Sequence, residues 1–432
     1  MLHQQTEGQN PQESTRSLWR DKIFRTFWAG QSVSVLGTQI TDFALPVLAV
    51  TALNANAGDL ALLRAMETLP FLALTLPVGL WLDRNAPRPA MLVANLVRAV
   101  LIGGVAVAGL LDSLRIGALA AALLIIGAAT VVFDVAYMSY LPALVRQDQL
   151  VEGNSKLAVS DAAARVGGPG LAGGLVQLVT APAALIVDAV SYVFSAASLH
   201  RLGSQDATAS AASPAAAPER PGLRTQVMDG LRAVTADKYL RVICLESFAY
   251  NLFVQFGQTL VVLYAIDTLK MSVGTLGVLI AIGSVGAVAG SAIAPKIIGR
   301  MGFGPAFISG TALSCAAPVL VPLAGGAPHL AQPLIAISYL VAGFGVTISV
   351  IGSVTLRQTV TPDYLLGRVN ALMRLASFSA LPLGAALAGA LASAFDVRTA
   401  LFVGAAGLAL PVLILLCSPV PRLRASFEAR QI

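Results

Sequence analysis

Twelve long apolar segments, separated by short polar loops, constrain this chain more than any other feature. A helix needs about 20 apolar residues to cross the hydrocarbon core of a bilayer, and each segment is at least that long. The segments are rich in Ala and Leu and lack the two-residue alternation of a transmembrane β-strand. We therefore predict twelve transmembrane helices, at 24–52, 59–82, 89–110, 115–145, 154–180, 182–201, 240–266, 274–298, 303–325, 330–357, 367–395 and 398–418.

The charge content agrees with a chain that has lipid as its solvent. Only 12% of the residues are charged and 56% are hydrophobic, whereas a soluble domain carries about 25% charged residues. The formal net charge is +6, but the basic residues lie in short loops between apolar segments. This pattern is typical of membrane topology signals and argues against a nucleic-acid surface. The predicted partner is the lipid bilayer.

The distribution of Lys and Arg predicts an orientation. With twelve spans and a cytoplasmic N-terminus, 22 of the 28 basic residues fall on the cytoplasmic side. Only Arg115, Lys270 and Arg398 fall on the outer side, and three more lie within spans. Cytoplasmic loops of membrane proteins carry an excess of Lys and Arg. We therefore predict a multi-pass protein of the cell (inner or plasma) membrane with both termini in the cytoplasm.

The chain also reads as two related halves. DKIFR at 21–25 lies over DKYLR at 237–241 when the sequence is shifted by half its length, and Gln39 then falls on Gln255. Between the halves, residues 203–222 are rich in Ala, Ser and Pro, which is typical of a flexible linker. The predicted organisation is an N-terminal tail (1–23), a six-helix bundle (24–202), a cytoplasmic linker (203–239), a second six-helix bundle (240–418) and a C-terminal tail (419–432).

Sequence patterns of enzymes and pumps are missing. The chain has no Gly-x-x-x-x-Gly-Lys-Ser/Thr phosphate loop, which excludes an ATPase within it, and neither HExxH nor GxSxG occurs. The three Cys show no metal-ligand or disulfide spacing. We predict a protein that is not an enzyme, that uses no cofactor or metal, and that functions as a monomer.

The loop between the second and third spans, GLWLDRNAPRP at 79–89, carries a recognisable motif. It resembles the signature of the major facilitator superfamily, with matches at Gly79, Asp83, Arg84 and Arg88, while Ala86 and Pro87 depart from the pattern. The resemblance implies an all-α fold of two pseudo-symmetric six-helix bundles. It also implies that this loop helps to latch the cytoplasmic sides of the two halves, with Asp134 among the residues of that cytoplasmic gate.

A second motif lies in the fifth span, where Gly168, Pro169 and Gly173 match the Gly-Pro-x-x-Gly-Gly element of exporters in this superfamily, while Ala172 replaces the first of its two final glycines. Small residues there allow close helix packing, and Pro bends the helix. The segments YLPALVRQDQLVEGNSKL at 140–157 and DAVSYVFSAASL at 188–199 resemble macrolide-efflux pumps and the enterobactin exporter. This subfamily resemblance implies a drug:proton antiporter.

Charged residues inside membrane spans are costly and are therefore candidates for function. From their depth we choose Asp42, Arg64, Glu67, Arg165 and Glu246 as candidates for proton coupling or substrate contact. Arg64 and Glu67 are three residues apart, so that one helix face holds both. The alternative interpretation is a structural ion pair within the N-terminal bundle.

The sequence thus predicts a secondary active transporter that exports a bulky amphipathic small molecule, a drug or secondary metabolite, in exchange for protons by alternating access. Two alternatives stay open. One is a dedicated siderophore exporter, and the other is a non-transporting receptor or partner subunit built on the same fold.

Overall fold

The computed structural model describes residues 17–82, 84–146, 149–203, 223–326 and 328–423, and across these ranges the regular structure is helical throughout. Twelve long helices and one short helix between the two halves follow in chain order. They are α1 (Lys22–Leu53), α2 (Ala57–Leu82), α3 (Pro87–Leu110), α4 (Ile116–Leu144), α5 (Leu150–Val179), α6 (Ala181–Arg201), α7 (Leu223–Ala236), α8 (Lys238–Thr268), α9 (Val273–Met301), α10 (Phe303–Leu323), α11 (Ala331–Val360), α12 (Asp363–Ala394) and α13 (Val397–Leu416).

The helix lengths confirm the membrane-spanning fold expected from the apolar segments. Within the described residues, eleven helices are long and apolar enough to cross a bilayer by themselves. The twelfth is α5, which has 30 residues but is less apolar than the others. Its charges pair along the helix at a spacing of four residues, Lys156 with Glu152 and Arg165 with Asp161. Since α5 packs against both α1 and α9, it completes the set of twelve.

The two halves, α1–α6 and α8–α13, begin and end their first helix in the same way. The Asp21 carboxylate accepts a hydrogen bond from the backbone N–H of Ile23 (2.7 Å), and Asp237 accepts one from that of Tyr239 (2.7 Å). An acidic N-cap satisfies backbone donors that the first helical turn leaves free. Both helices are followed by a residue with positive φ, 52° at Asn54 and 51° at Lys270.

The halves meet through reciprocal helix pairs. The second helix of each half packs against the fifth helix of the other, α2 against α12 and α9 against α5. This arrangement is what a two-fold relation between duplicated halves requires.

The two ends of the bundle differ in how the halves are joined. We call the end that carries Ser17 and Leu423 the terminal end, and the opposite end the distal end. At the distal end, one hydrophobic core contains residues of both halves, for example Leu48 and Leu63 with Leu260 and Ala388. At the terminal end each half has its own core. Among the described residues, a hydrophobic core common to both halves is thus found at the distal end.

The segment between the halves is partly helical, which the linker prediction for 203–239 did not include. Residues 204–222 lie outside the described residues, but α7 packs against α8 and α12. Val234 is 4% exposed in the terminal core of the second half. A Cβ on Gly230 would lie 3.0 Å from the carbonyl oxygen of Arg368, so α7 lies close against the α12 backbone.

Candidate functional site

The main cavity lies in the N-terminal half, between α1, α3, α4 and α5, and has a volume of about 490 Å³. That size is within the range of cavities that bind drug-sized molecules. It extends from Asp42, near the shared distal core, to Asn154 in the second turn of α5 at the terminal end. The lining combines apolar and aromatic side chains with charged ones. The charged members are Asp42, Arg98, Asp134, Asp161 and Arg165.

One face of α1 supplies the polar wall of this cavity. Gln31, Val35, Thr38 and Asp42 recur at intervals of three and four residues, which places them on one side of a helix. Gln31 and Asp42 are eleven residues apart, so the wall runs for about 16 Å at 1.5 Å per residue. Asp42 is exposed to the cavity, whereas its neighbours Thr41 and Phe43 are buried. A carboxyl group is thus held at the deep end of the cavity.

The structure brings Arg64 and Glu67 to Asp42. The Arg64 guanidinium lies 2.8 Å from the Glu67 carboxylate, and its second nitrogen donates to the backbone oxygen of Asp42 at 3.4 Å. The predicted pair on one face of α2 is therefore formed. Gln258 of α8 lines a small cavity together with these three residues. Two carboxyl groups and one guanidinium thus lie together where the halves meet, at the deep end of the main cavity.

Arg98 of α3 is a second charged centre, an intramembrane charge that is not among the predicted site residues. Its side chain is 4% exposed and lies between the rings of Phe133 and Tyr192, with the guanidinium carbon 4.3 Å and 4.5 Å from their centroids. Such cation–π contacts are strongest where water is excluded. Arg98 also donates to the side-chain oxygen of Asn95. Its Nε is buried without a hydrogen-bond partner within the described part of the chain.

Behind Arg98, the buried carboxylate of Asp188 links α6 to α1. It accepts hydrogen bonds from the hydroxyls of Ser191 (2.9 Å) and Thr41 (2.5 Å), and the Tyr192 hydroxyl bonds to that of Thr38 at 3.0 Å. Asp188 was not among the predicted site residues either. Its signal in the sequence was an acidic residue inside a predicted span, but its partner Thr41 lies on α1, far away in the chain.

Arg165 and Asp134 lie on the cavity wall and both contact the other half. The Arg165 guanidinium pairs with Asp161 at 2.9 Å, and its backbone oxygen accepts a hydrogen bond from Ser284 of α9 at 3.0 Å. Asp134, predicted as a gate residue, lies 3.9 Å from Arg374 of α12. The wall of the N-terminal half is therefore connected to α9 and α12.

Glu246, the remaining candidate, is not brought to this site. It lies in α8 at 3% exposure and lines neither the main cavity nor the small one. Its carboxylate accepts a hydrogen bond from the neighbouring Ser247 hydroxyl at 3.3 Å. Near it, the hydroxyls of Tyr250 and Ser314 bond at 2.7 Å. Glu246 therefore belongs to a separate polar cluster within the second half.

The latch that the resemblance implies for the GLWLDRNAPRP loop stays a prediction. Arg88 donates to the backbone oxygens of Leu199 (2.8 Å) and His200 (2.9 Å), so it caps the last turn of α6 within its own half. A Cβ on Gly79 would meet nothing within 4 Å, so no close helix approach exists there. Arg84 is exposed, and Asp83 lies outside the described residues. At this end of the bundle, the described residues form a separate core in each half.

The small residues of the exporter-type element do lie at close helix contacts. A Cβ on Gly168 would come 2.5 Å from the Cβ of Gln39 on α1. A Cβ on Gly173 would come 2.7 Å from the Cα of Gly277 on α9, and one on Gly277 would lie 2.7 Å from the Pro169 oxygen. The element therefore sits where α5 joins the two halves.

Solved structures resemble the chain along nearly its whole length. A bacterial homologue of the iron transporter ferroportin in an inward-facing state has a TM-score of 0.75 at 18% identity, covering 93% of this chain and 99% of that one. The nucleoside transporter NupG has a TM-score of 0.71 at 12% identity, with 92% and 98% covered. The ferroportin homologue in an outward-facing state scores 0.58 at 19% identity, with 92% and 99% covered.

These likenesses establish the fold. A search of curated proteins found no match. The family described as transmembrane secretion effector matches residues 13–431. The chain therefore belongs to the transmembrane secretion effector family and is a multi-pass membrane transporter of the major facilitator type, not an enzyme.

Proposed function

We propose that this protein exports an amphipathic small molecule from the cytoplasm in exchange for protons. The observation that carries the proposal is the cavity of the N-terminal half, which combines charged, hydroxyl and aromatic side chains and ends at the Asp42 carboxyl group. The element Gly168, Pro169 and Gly173, which resembles that of exporters, supports the direction of transport.

The position of the basic residues supports a cytoplasmic terminal end. Loops at that end carry most of the Lys and Arg, while the distal loops carry Arg115, Lys270 and Arg398. Positive charge is retained on the cytoplasmic side of membranes. In that orientation the shared distal core blocks the outer side, and the cavity receives its cargo from the cytoplasm.

The lining supports a cargo with both apolar and polar parts. Phe133 and Tyr137 stack with ring centroids 6.3 Å apart, and Phe27 continues the stack beyond Tyr137 at 5.9 Å. Aromatic faces of this kind bind apolar rings. The Arg98 guanidinium lies over the Phe133 ring at the end of this stack. There it would donate a hydrogen bond to an acceptor group of the cargo.

The cluster of Asp42, Arg64 and Glu67 supports proton coupling. The Arg64 guanidinium pairs with the Glu67 carboxylate and reaches Asp42 only at its backbone oxygen, and an unpaired carboxylate inside a membrane is costly. Binding of a proton at Asp42 removes this cost when cargo leaves or the halves move. Protonation would thereby favour one of the two conformations over the other.

The proposal is tested by transport into inverted (inside-out) vesicles into which the purified protein has been reconstituted. A panel of amphipathic fluorescent compounds is offered while a proton gradient, acidic inside, is imposed. We expect at least one compound to accumulate inside and the accumulation to collapse when a protonophore is added.

Two controls make the result decisive. Empty vesicles measure passive partitioning, and a gradient of the opposite sign should abolish accumulation. Accumulation that persists without any gradient would contradict proton coupling, and no accumulation across the panel would contradict export of such compounds.

A further inference from the structure

A second cavity of about 420 Å³ lies outside the transport pathway, between the start of α1 and the end of α6. Its walls are two antiparallel helix faces. Lys22, Arg25 and Ala29 come from α1, and Phe194, Ala197 and Arg201 come from α6. On each helix the members recur at intervals of three or four residues, so each set lies on one face. We call this cavity the α1–α6 groove.

The groove is polar at one end and apolar at the other. The three cations lie at the terminal end, because Lys22 and Arg25 belong to the first turn of α1 and Arg201 is the last residue of α6. Ala29 and Phe194 lie about two helical turns deeper, which is a distance of about 10 Å. This gradient from charged to apolar follows the profile of a membrane leaflet.

The cations of the groove have no acidic partner in the described part of the chain, where the ion pairs involve other residues. The neighbouring Asp21 carboxylate is engaged as the N-cap of α1 and accepts from Ile23 and Phe24. The hydroxyl of Thr26 donates to the Lys22 backbone oxygen of its own helix. The charge that the groove offers to a ligand is therefore positive.

The groove opens toward lipid rather than toward the transport cavity. Along α6, Val190, Val193 and Phe194 are 60%, 51% and 45% exposed on the outer face of the N-terminal half. Helix α6 packs against α1, α3 and α5 of its own half, whereas the main contacts between the halves are made by α2, α5, α9 and α12. Close contact between α1 and α6 closes the groove on its inner side, since a Cβ on Gly30 would overlap the Ser198 hydroxyl.

From these observations we infer that the α1–α6 groove binds a phospholipid with an anionic headgroup. Lys22, Arg25 and Arg201 contact the headgroup phosphate, and an acyl chain lies along Ala29, Phe194 and Ala197. Basic clusters beside membrane helices attract anionic lipids, and each cation contributes roughly a five-fold gain in affinity. Since the site needs only a membrane-embedded chain, it does not depend on the proposed cargo or direction of transport.

Native mass spectrometry of the full-length protein tests the site, with phosphatidylglycerol and phosphatidylcholine of identical acyl chains as probes. The groove variant carries Lys22→Gln, Arg25→Gln and Arg201→Gln. The matched control carries Arg232→Gln, Lys296→Gln and Arg300→Gln, three exposed cations at the terminal end on α7 and α9. We expect the groove variant to bind phosphatidylglycerol on the order of ten- to a hundred-fold more weakly than the wild type, and the control to bind it unchanged.

Additional measurements separate the alternatives. Equal losses in the groove variant and the control would overturn the proposal, because they indicate general attraction to a basic surface. Retention of phosphatidylcholine as strong as that of phosphatidylglycerol would overturn it too. Displacement of the lipid by inorganic phosphate alone would assign the cations to a soluble anion instead.

A variant that keeps all three cations covers the case in which the triple variant is unstable. Ala197→Leu narrows the apolar end of the groove while the positive charge is unchanged. We expect it to reduce phosphatidylglycerol binding several-fold and to remove the rise in thermal midpoint that this lipid gives the wild type. Full binding by this variant would contradict an acyl chain in the groove.

Discussion

The two halves share a frame but differ in the chemistry inside it. Both begin with an Asp-capped helix, and each contributes its second and fifth helices to the interface. The charged groups that line the main cavity all belong to the N-terminal half. In the second half, the buried acidic residue is Glu246, which lies away from that cavity. Gene duplication thus explains the scaffold, whereas the ionic site belongs to one half.

The position equivalent to Asp42 makes this difference concrete. The half-length shift that aligns Gln39 with Gln255 also aligns Asp42 with Gln258. Both side chains line the small cavity beside Arg64 and Glu67, so the two equivalents face one another across the interface. One of them titrates and the other does not. Under the proposed function, proton-dependent movement of the halves would therefore act through the N-terminal member of this pair.

The largest expected effect is on transport and comes from Asp42→Asn. Under the proposed function, this variant loses the proton-binding group but keeps its shape, so we expect proton-driven uptake into inverted vesicles to fall by about 100-fold, a typical cost for removing an essential proton-transfer group. The matched control is Gln258→Asn, which shortens the equivalent amide and should leave proton coupling in place. Equal losses in both variants would contradict an acidic role confined to the N-terminal half.

The next effect concerns two close helix contacts between the halves, Gly277 with Gly173 and Gly389 with Ala61. The two contacts are equivalent under the half-length shift of the sequence. Gly277→Ala places a Cβ 2.7 Å from the Cα of Gly173 on α5, and Gly389→Ala places one against Ala61 on α2. Overpacking of this kind costs about 1–3 kcal/mol. Because both contacts lie in the distal half of the bundle, we expect each variant to be less stable and to favour separation of the distal ends.

Thermal unfolding and distance measurements between spin labels at Ala52→Cys and Thr268→Cys report the two expected changes. Both positions are exposed at the distal end, one in each half, and the exposed Cys417 is replaced by Ser in this background. Gly174→Ala is the control, since its Cβ meets nothing within 4 Å. If Gly277→Ala shifts the distances and Gly389→Ala does not, the two pairs are unequal as hinges.

The fold could be predicted from the sequence because it depends on properties that each segment carries by itself. Apolar length predicted the spans, and DKIFR and DKYLR predicted the two equivalent helix starts, whose Asp caps are present. Helix α7 was missed because its 14 residues have low mean hydropathy and become ordered against α8 and α12, which lie elsewhere in the chain.

The candidate site was only partly predictable, because its contacts join distant helices. The pair of Arg64 and Glu67 lies within one helix, so its spacing was visible in the sequence. The setting of Arg98 between Phe133 and Tyr192 needs the packing of α3 against α4 and α6, which no local pattern contains. The contacts of Arg88 with the backbone oxygens of Leu199 and His200 also join α3 to α6, which lie far apart in the chain.

The helix starts give a smaller and symmetric prediction. Asp21→Ala and Asp237→Ala each remove a carboxylate that accepts from two backbone N–H groups, and loss of such a cap costs about 1 kcal/mol. We expect similar falls in the free energy of unfolding, measured by denaturation in mixed micelles. Asp→Asn at either position keeps an acceptor and should cost less. A cost at only one of the two caps would show that the duplicated starts no longer have equal roles.

The smallest expected effect concerns the distal starts of the sixth helices, where the halves differ. Thr180 precedes α6 with a φ of 115° and gives no side-chain cap, whereas Asp396, its equivalent at the same half-length shift, caps α13. Asp396 accepts from the Thr399 hydroxyl (2.6 Å) and backbone N–H (2.9 Å), and these hydrogen bonds lower the pKa of its carboxyl group. A lowered folded-state pKa stabilises the protein above the unfolded-state value, and this stability is lost as the pH falls through the folded-state value. We therefore expect the thermal midpoint of the wild type to fall more than that of Asp396→Asn between neutral and acidic pH.

Thr180→Gly, in contrast, relieves a positive φ and should raise the midpoint slightly at every pH. If Asp396→Asn kept the full pH dependence of the wild type, the cap would have no part in it, and the distal helix starts would differ only in backbone strain.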